Sequence, residues 1–146
     1  MSLIQNSHAQ NYAHFFETIN ENTKIQEYKI IFDENVYFKD PFHEINGINN
    51  LYSIFEEMYI KLENPRFKVT EIIEQENIAY LKWNFYFSFK TKGKEESFEG
   101  VSRVEFNTNN KVISHIDYWD ASSNLYEKIP VLSFFMRFIK NKINHS

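Results

Sequence analysis

Asp40 is the first residue whose position suggests chemistry. In the stretch "VYFKDPFHEING" (36–47), Val36, Phe38 and Asp40 fall on one face of a predicted strand, so an acid stands where a third apolar residue is expected. One interpretation is that Asp40 starts the turn that Pro41 completes. The other is an inward carboxylate, whose burial would raise its pKa toward a value useful to a general base.

A second acid lies in "HIDYWD" (115–120). Alternation predicts that Ile113, His115, Asp117 and Trp119 share an inward face, and burying a lone carboxylate costs several kcal/mol unless it is paired. The His115 imidazole and the Trp119 indole are the local candidates for a partner. Convergence with Asp40 would suit proton transfer on an apolar substrate. The alternatives are a buried structural pair that fixes the sheet, or an outward, solvated face.

Aromatic residues are abundant, with 15 Phe and 9 Tyr, and "YLKWNFYFSFK" (80–90) concentrates them on one face of a predicted strand. This pattern favours a cavity lined by aromatic rings. The residues predicted to contact a ligand are Tyr12, Phe15, Phe38, Phe55, Trp83, Phe85, Phe98, Ser102 and Trp119.

The elements that position these residues are predicted as two helices, a short strand, a third helix that ends before Pro65, and four strands at 66–75, 80–90, 97–106 and 112–120. This order indicates an α+β fold, in which a curved antiparallel sheet packs against N-terminal helices as a cone. Residues 1–146 are expected to form one domain.

An additional C-terminal helix is predicted for "PVLSFFMRFIKNKI" (130–143). Because it is apolar most of the way round, we expect it to cover the open cone or a partner subunit. Its basic residues Arg137, Lys140 and Lys142 leave a membrane-surface helix as the disfavoured alternative.

Composition narrows the function classes. A net charge of -4 argues against nucleic-acid binding, and the absence of cysteine fits a cytoplasmic protein. The chain shows no signal peptide and no apolar run of the ~18 residues that a membrane span needs. A metal site could be drawn from His43, Glu44, His115 and Asp117, but no two histidines have ligand spacing on one element, so no metal or cofactor is predicted. His43 and Glu44 are assigned to a connecting loop.

The order of elements, with "DPF" closing the first strand and "DYWD" closing the last, resembles the nuclear transport factor two-like superfamily, and within it the SnoaL-like proteins and ketosteroid isomerases. The resemblance implies that Asp40 matches the general base of the isomerases. The two isomerase positions that donate to the oxyanion correspond to Phe15, which cannot donate, and Ser102. Tyr12, one helical turn away, could partly substitute.

The sequence also resembles limonene epoxide hydrolases, in the segment "HIDYWD". Asp117 matches one of their aspartates, whereas Trp83 and Phe85 stand where they carry an arginine and a second aspartate. The resemblance therefore implies a SnoaL-like protein that binds an apolar or aromatic small molecule and performs acid/base isomerisation, cyclisation or hydration, with Asp40 as base and Asp117 and His115 as orienting or relaying groups. The alternative is a non-catalytic ligand-binding or dimerisation module.

Superfamily members often form homodimers through the outer face of the sheet. The apolar residues predicted to face outward could form such an interface; these are Tyr86, Val101, Ile116 and Tyr118.

Overall fold

The computed structural model describes residues 6–90 and 93–120. These residues form three helices and six strands: α1 His8–Thr18, α2 Ile25–Ile31, β1 Phe32–Lys39, β2 Glu44–Asn46, α3 Ile48–Lys61, β3 Leu62–Gln75, β4 Ile78–Phe89, β5 Glu95–Phe106 and β6 Val112–Tyr118. The α+β class is confirmed. The predicted C-terminal helix at 130–143 lies outside the described residues. No helix in the described part of the chain is long and apolar enough to cross a membrane.

The six strands form one open, curved sheet in the order β2-β1-β6-β5-β4-β3. Neighbours pair antiparallel except β1 and β6, which are parallel, so the sheet is mixed rather than wholly antiparallel as predicted. The parallel register places Phe38 beside His115 and Lys39 beside Ile116. Asp40 and Asp117 therefore follow at the same end of two adjacent strands.

The helices pack against the sheet through apolar residues spaced three or four apart. Helix α1 begins at a capping box. The backbone N–H of Gln10 donates to Ser7 Oγ at 3.1 Å, and the backbone N–H of Ser7 donates to Gln10 Oε1 at 2.9 Å. Its buried residues include Tyr12 and Phe16, and α3 buries Leu51 and Phe55 in the same core. This packing brings the Tyr12 side chain over the strand that carries His115.

One bulge changes the phase of β6. Phe106 pairs with Val112, whereas Glu105 pairs with Ser114, so Ile113 is an extra residue on the β6 side. As a result Val112 is fully buried and Ile113 is 38% exposed. The prediction that Ile113 shares the inward face of His115 is wrong, because a bulge shifts the alternation by one residue.

Candidate functional site

Asp40 follows the last residue of β1 and starts the turn that leads into β2. Its amide donates to the His43 carbonyl at 2.9 Å, while Asp40 Oδ1 accepts the amides of Phe42 at 2.7 Å and His43 at 2.6 Å. The Asp40 side chain is only 9% exposed. The carboxylate therefore starts the turn, as the first interpretation has it, and also lies almost buried beside the core, while its role as a general base stays a prediction.

The Asp40 turn also folds His43 back onto the carboxylate. His43 Nδ1 lies 2.8 Å from Asp40 Oδ2 and 3.0 Å from Oδ1. The His43 side chain is 2% exposed, so it does not decorate an exposed loop as expected from the sequence. The Asp-Pro-X-His spacing was a usable signal, because an aspartate that opens a turn brings the residue three positions later back toward its own side chain.

Asp117 accepts hydrogen bonds from two strands. His115 Nε2 lies 2.6 Å from Asp117 Oδ1, and the Ser102 hydroxyl donates to the same oxygen at 2.5 Å. The Trp83 indole N–H donates in turn to Ser102 Oγ at 2.8 Å. The Asp117 side chain is 15% exposed. Asp117 is therefore paired as its burial requires, with His115 as the partner on its own strand.

Tyr12 completes this network from α1. Its hydroxyl lies 2.7 Å from His115 Nδ1. Burial, and secondarily the Asp117 carboxylate, raise the pKa of Tyr12 well above its ordinary value, so the hydroxyl remains protonated. When His115 is neutral and donates its Nε2 proton to Asp117, its Nδ1 accepts the hydrogen bond of the Tyr12 hydroxyl. Sequence reasoning named Tyr12 but did not foresee its bond to His115.

The two groups of side chains border two adjacent pockets that share part of their lining, called here the smaller lobe and the larger lobe. The space open to the centre of a water-sized sphere is about 30 Å³ in the smaller lobe and about 70 Å³ in the larger lobe. The smaller lobe contains Tyr12, Ser102 and His115, whereas the larger lobe contains Asp40 and His43. The residues that line both lobes are Phe38, Phe55, Phe67, Trp83 and Asp117.

Most of the predicted ligand contacts lie on this cavity. Phe85, Phe98 and Trp119 line the larger lobe with Phe38, Phe55 and Trp83, and Tyr12 and Ser102 line the smaller one. Phe15 lines neither lobe; its ring packs on Tyr28 at 5.2 Å and Phe32 at 5.9 Å between ring centres. The lining residues that sequence reasoning missed come mainly from the helices and from β3; they include Phe16, Ile54, Met58, Leu62, Phe67 and Val69.

Gly100 determines where the Trp83 indole lies. A Cβ added to Gly100 would lie 2.5 Å from Trp83 Cη2 and 2.6 Å from Cζ2. Trp83 and Gly100 are cross-strand partners, so the indole lies directly against the β5 backbone. This close approach lets Trp83 Nε1 reach Ser102, two residues further along the same strand.

No group of three or more His, Asp and Glu side chains within residues 6–90 and 93–120 is arranged to hold a metal ion. His43 is held by Asp40 and His115 by Asp117, so the residues considered for a metal site are divided between two separate pairs. Proton transfer is the chemistry that paired carboxylates and imidazoles offer directly.

Solved structures with the same fold support this description. A protein from Catenulispora acidiphila DSM 44928 with a ketosteroid isomerase-like fold, in complex with trimethylamine, matches with a TM-score of 0.68 and 13% identity over 84% of this chain and 92% of that chain. A candidate SnoaL-like polyketide cyclase from Jannaschia sp. CCS1 matches with a TM-score of 0.70 and 7% identity over 81% and 88% of the two chains. TerC, co-crystallised with polyporic acid, matches with a TM-score of 0.65 and 13% identity over 80% and 91%.

At such low identities, the TM-scores show that the fold is similar and show nothing more. No curated protein matches the chain. Residues 12–115, more than half of the 146 residues, match the SnoaL-like domain family. The chain therefore belongs to the SnoaL-like domain family.

Proposed function

We propose that this SnoaL-like protein binds an apolar or aromatic small molecule in the two-lobed cavity and catalyses acid/base isomerisation, cyclisation or hydration on it. One observation carries the proposal: Asp40 and Asp117 line the same lobe, and each is hydrogen-bonded to a histidine. The other side chains of that lobe are almost all apolar. Charged groups that can exchange protons with a ligand therefore stand in surroundings that exclude most water.

The two acids give the cavity two places at which a proton can be taken up or supplied. Both donors to Asp117 bind Oδ1, and within the described residues no hydrogen bond reaches Oδ2, so this oxygen is left for a ligand. At Asp40 the carboxylate and His43 form the other place. An isomerisation removes a proton from one substrate atom and returns a proton to another, and two acid/base sites on the same cavity can divide these two steps.

The size of the larger lobe guides the choice of a probe. One water needs roughly 10–15 Å³ on this measure. The larger lobe measures about 70 Å³ and so has room for roughly five to seven waters, a size that suits a fused bicyclic ring. β-Tetralone is an apolar bicyclic ketone whose protons next to the carbonyl exchange with solvent through an enolate. Its deuterium uptake in D₂O, followed by NMR, reports proton transfer without knowledge of the natural substrate.

We expect the wild-type protein to accelerate this exchange saturably, and Asp117→Asn to lower the catalysed rate by about 10²-fold, as removal of an acid/base group does. Glu99→Gln is the matched control, because Glu99 is an exposed acid on β5 with its side chain 67% exposed. Saturable acceleration that Asp117→Asn leaves unchanged would contradict the proposed role of Asp117. No acceleration of exchange by the wild type would refute catalysis on this substrate class.

A non-catalytic ligand-binding module is the second candidate. The observation that favours it is the extent to which aromatic side chains already fill the cone, which leaves lobes of about 30 and 70 Å³. This candidate predicts saturable quenching of tryptophan fluorescence by β-tetralone with no acceleration of its deuterium uptake. Trp83 and Trp119 both line the larger lobe and would report such binding.

A further inference from the structure

A groove separate from the two lobes lies between the turn at residues 20–23, helix α2 and helix α3. The space in it that is open to the centre of a water-sized sphere is about 330 Å³, which is ample for a small organic group. Among the residues that the structure describes, none lines both this groove and a lobe. Its lining includes three tyrosines, two glutamates and one lysine, and we call it the tyrosine groove; these residues are Tyr28, Tyr52, Tyr59, Glu21, Glu56 and Lys90.

The three phenol rings give the tyrosine groove its walls. Tyr28 is the most buried of them at 1% exposed, and its ring lies 5.0 Å from that of Tyr52 at an angle of 85° between the ring planes. The Tyr52 hydroxyl donates to the Thr23 carbonyl at 3.2 Å, which ties this wall to the turn. Tyr52 and Tyr59 are partly exposed, so a ligand can reach their rings from solvent.

Two of the phenol oxygens are without a protein partner. In the described part of the chain, neither the Tyr28 nor the Tyr59 hydroxyl forms a hydrogen bond, although buried tyrosine hydroxyls usually have one. Each oxygen can therefore accept a hydrogen bond from a group that enters the groove. This requirement favours a ligand that carries N–H or O–H donors.

The charges of the groove favour a cation. Glu21 and Glu56 are exposed acids, and within residues 6–90 and 93–120 neither forms an ion pair or a hydrogen bond. Lys90 also lines the groove, but it is exposed and forms no ion pair with either acid. Two carboxylates against one ammonium leave the groove with a net negative charge, which repels anions and attracts cations.

The tyrosines respond to the same negative charge. Burial is the main cause that raises the pKa of Tyr28, with smaller contributions from its neighbours Tyr59 and Tyr52 and from acids that include Glu56. Burial and then the Glu21 carboxylate raise the pKa of Tyr59. A potential that disfavours an anionic phenolate favours a bound positive charge at the same place.

A guanidinium group combines the properties that this lining selects. It is planar and weakly hydrated, so it stacks on aromatic rings at a small cost in lost hydration. Its five N–H groups can donate to carboxylates and to phenol oxygens at the same time. A quaternary ammonium would use the rings alone, because it has no N–H to donate.

We propose that the tyrosine groove binds a guanidinium group, which stacks against Tyr52 or Tyr59 and donates to the carboxylates of Glu21 and Glu56. The site is independent of the proposed function, because its lining is separate from that of the two lobes. The guanidinium can belong to a free small molecule or to an arginine side chain of a partner protein.

The test is an NMR titration of the full-length protein with butylguanidinium and with butylurea, which has nearly the same shape and no charge. We expect butylguanidinium to shift the backbone amide signals of residues 20–23 and of α3, and to bind about 10-fold more tightly than butylurea. Equal affinities for the two compounds would overturn the proposal. Binding of butyltrimethylammonium as tight as that of butylguanidinium would overturn the role of the N–H donors.

Three variants locate the bound group. Tyr59→Leu keeps an apolar side chain without the aromatic face, and we expect it to weaken binding about 5-fold. Glu56→Gln removes one exposed negative charge and should weaken binding about 3-fold, whereas Lys90→Gln removes a repelling charge and should strengthen binding about 2-fold. Both of these positions are exposed, so the test holds even if Tyr59→Leu does not fold.

Matched controls lie outside the groove. Tyr80 on β4 is 45% exposed and Glu99 on β5 has its side chain 67% exposed, so Tyr80→Leu and Glu99→Gln should leave the affinity unchanged. Unchanged affinity in Tyr59→Leu and Glu56→Gln would overturn the site. Loss of binding in Asp117→Asn, with Tyr59→Leu unaffected, would place the cation in the cavity and overturn it as well.

A last comparison identifies the source of the guanidinium. N-acetylarginine methylamide carries the same group on a peptide backbone. Tighter binding of this compound than of butylguanidinium would support an arginine of a partner protein, and tighter binding of butylguanidinium would support a free small molecule. Failure of both compounds to bind would overturn the proposal and leave the proposed function of the cavity unaffected.

Discussion

The Asp40–His43 pair and the Asp117–His115 pair contain the same chemical groups, but different parts of the chain hold them in place. Asp40 and His43 are three residues apart in one turn, and backbone hydrogen bonds of that turn align them. Asp117 depends on Ser102 from β5 and, through His115, on Tyr12 from α1, which lies 103 residues from His115 in sequence. The first pair is therefore aligned by its own turn, whereas the second pair, two residues apart on β6, is held in place by side chains from other elements.

This difference separates two roles that a carboxylate–imidazole pair can have. In the second pair the hydrogen bonds connect α1, β4, β5 and β6, so loss of Asp117 leaves buried donors on β5 and β6 without their acceptor. The donors to the Asp40 carboxylate, in contrast, all lie in its own turn. We therefore expect stability to depend mainly on the Asp117 network.

The largest expected effect is that of Asp117→Ala. It leaves the Ser102 hydroxyl and His115 Nε2 without their acceptor, and we expect it to lower the free energy of unfolding by about 3 kcal/mol. Asp40→Ala should cost about 1–2 kcal/mol, because the affected donors all lie in the same turn. Urea unfolding measures both, and an equal or larger cost for Asp40→Ala would contradict the comparison.

The matched control for these two variants is Glu99→Ala. Glu99 is exposed on β5 and lies 3.9 Å from Lys82 Nζ, an interaction of a kind that contributes little. Its cost should remain within about 0.5 kcal/mol.

Gly100→Ala is expected to have the next largest effect. The new methyl group would have to displace the Trp83 indole, at a cost of about 2 kcal/mol typical of overpacking. Because the indole carries the bond to Ser102, its displacement should perturb the Asp117 network and leave the Asp40–His43 pair unchanged. Urea unfolding gives the cost, and imidazole NMR should show the His115 signals shifted and the His43 signals in place. Equal shifts at both histidines would show that the two pairs are not independent.

Tyr12→Phe should have the smallest effect. It removes one hydroxyl from a buried hydrogen bond, at a cost of about 1 kcal/mol in the free energy of unfolding at neutral pH. Tyr28→Phe is the matched control, since Tyr28 is also 1% exposed and its hydroxyl has no hydrogen bond among the described residues. A loss as large for Tyr28→Phe as for Tyr12→Phe would contradict the importance of the His115 bond.

Alkaline pH provides a second measurement on the same variant. Because burial raises the pKa of folded Tyr12 well above 10, its stabilising contribution is complete below pH ~10 and is lost as pH rises above it, since the unfolded tyrosine ionises first. Above pH ~10, each tyrosine whose pKa is raised by folding lowers the free energy of unfolding by about 1.4 kcal/mol for every pH unit. Tyr12→Phe should therefore decline less steeply than the wild type above pH ~10.

Periodicity was sufficient to predict the three helices of the described residues, the long strands and the inward face that contains His115 and Asp117. It could not predict that β1 lies parallel to β6, because pairing between distant strands leaves no local pattern. The bulge at Ile113 was hidden for the same reason, since an extra residue is defined by its partner strand. Strand β2 has three residues, too few for a period to appear.

The site shows the same division. Asp117 and His115 could be paired from their spacing on one strand, whereas the contact of Tyr12 with His115 depends on how α1 crosses the sheet. His43 is within reach of sequence reasoning, because its bond to Asp40 is local, but its place between the first strand and the third helix indicates only a connecting loop. Turn chemistry was the missing step.

The close approach of Trp83 to Gly100 divides the larger lobe into a rigid side and an adaptable side. The sheet side cannot move without displacing backbone, whereas α3 contributes Ile54 and Met58, the latter an unbranched side chain that adapts readily to neighbouring shapes. Substitutions at these two helix positions would change which ligands fit without altering either carboxylate–imidazole pair. Under the proposed function, ligand selectivity can therefore evolve on the α3 wall of the cavity while the two carboxylate–imidazole pairs stay in place.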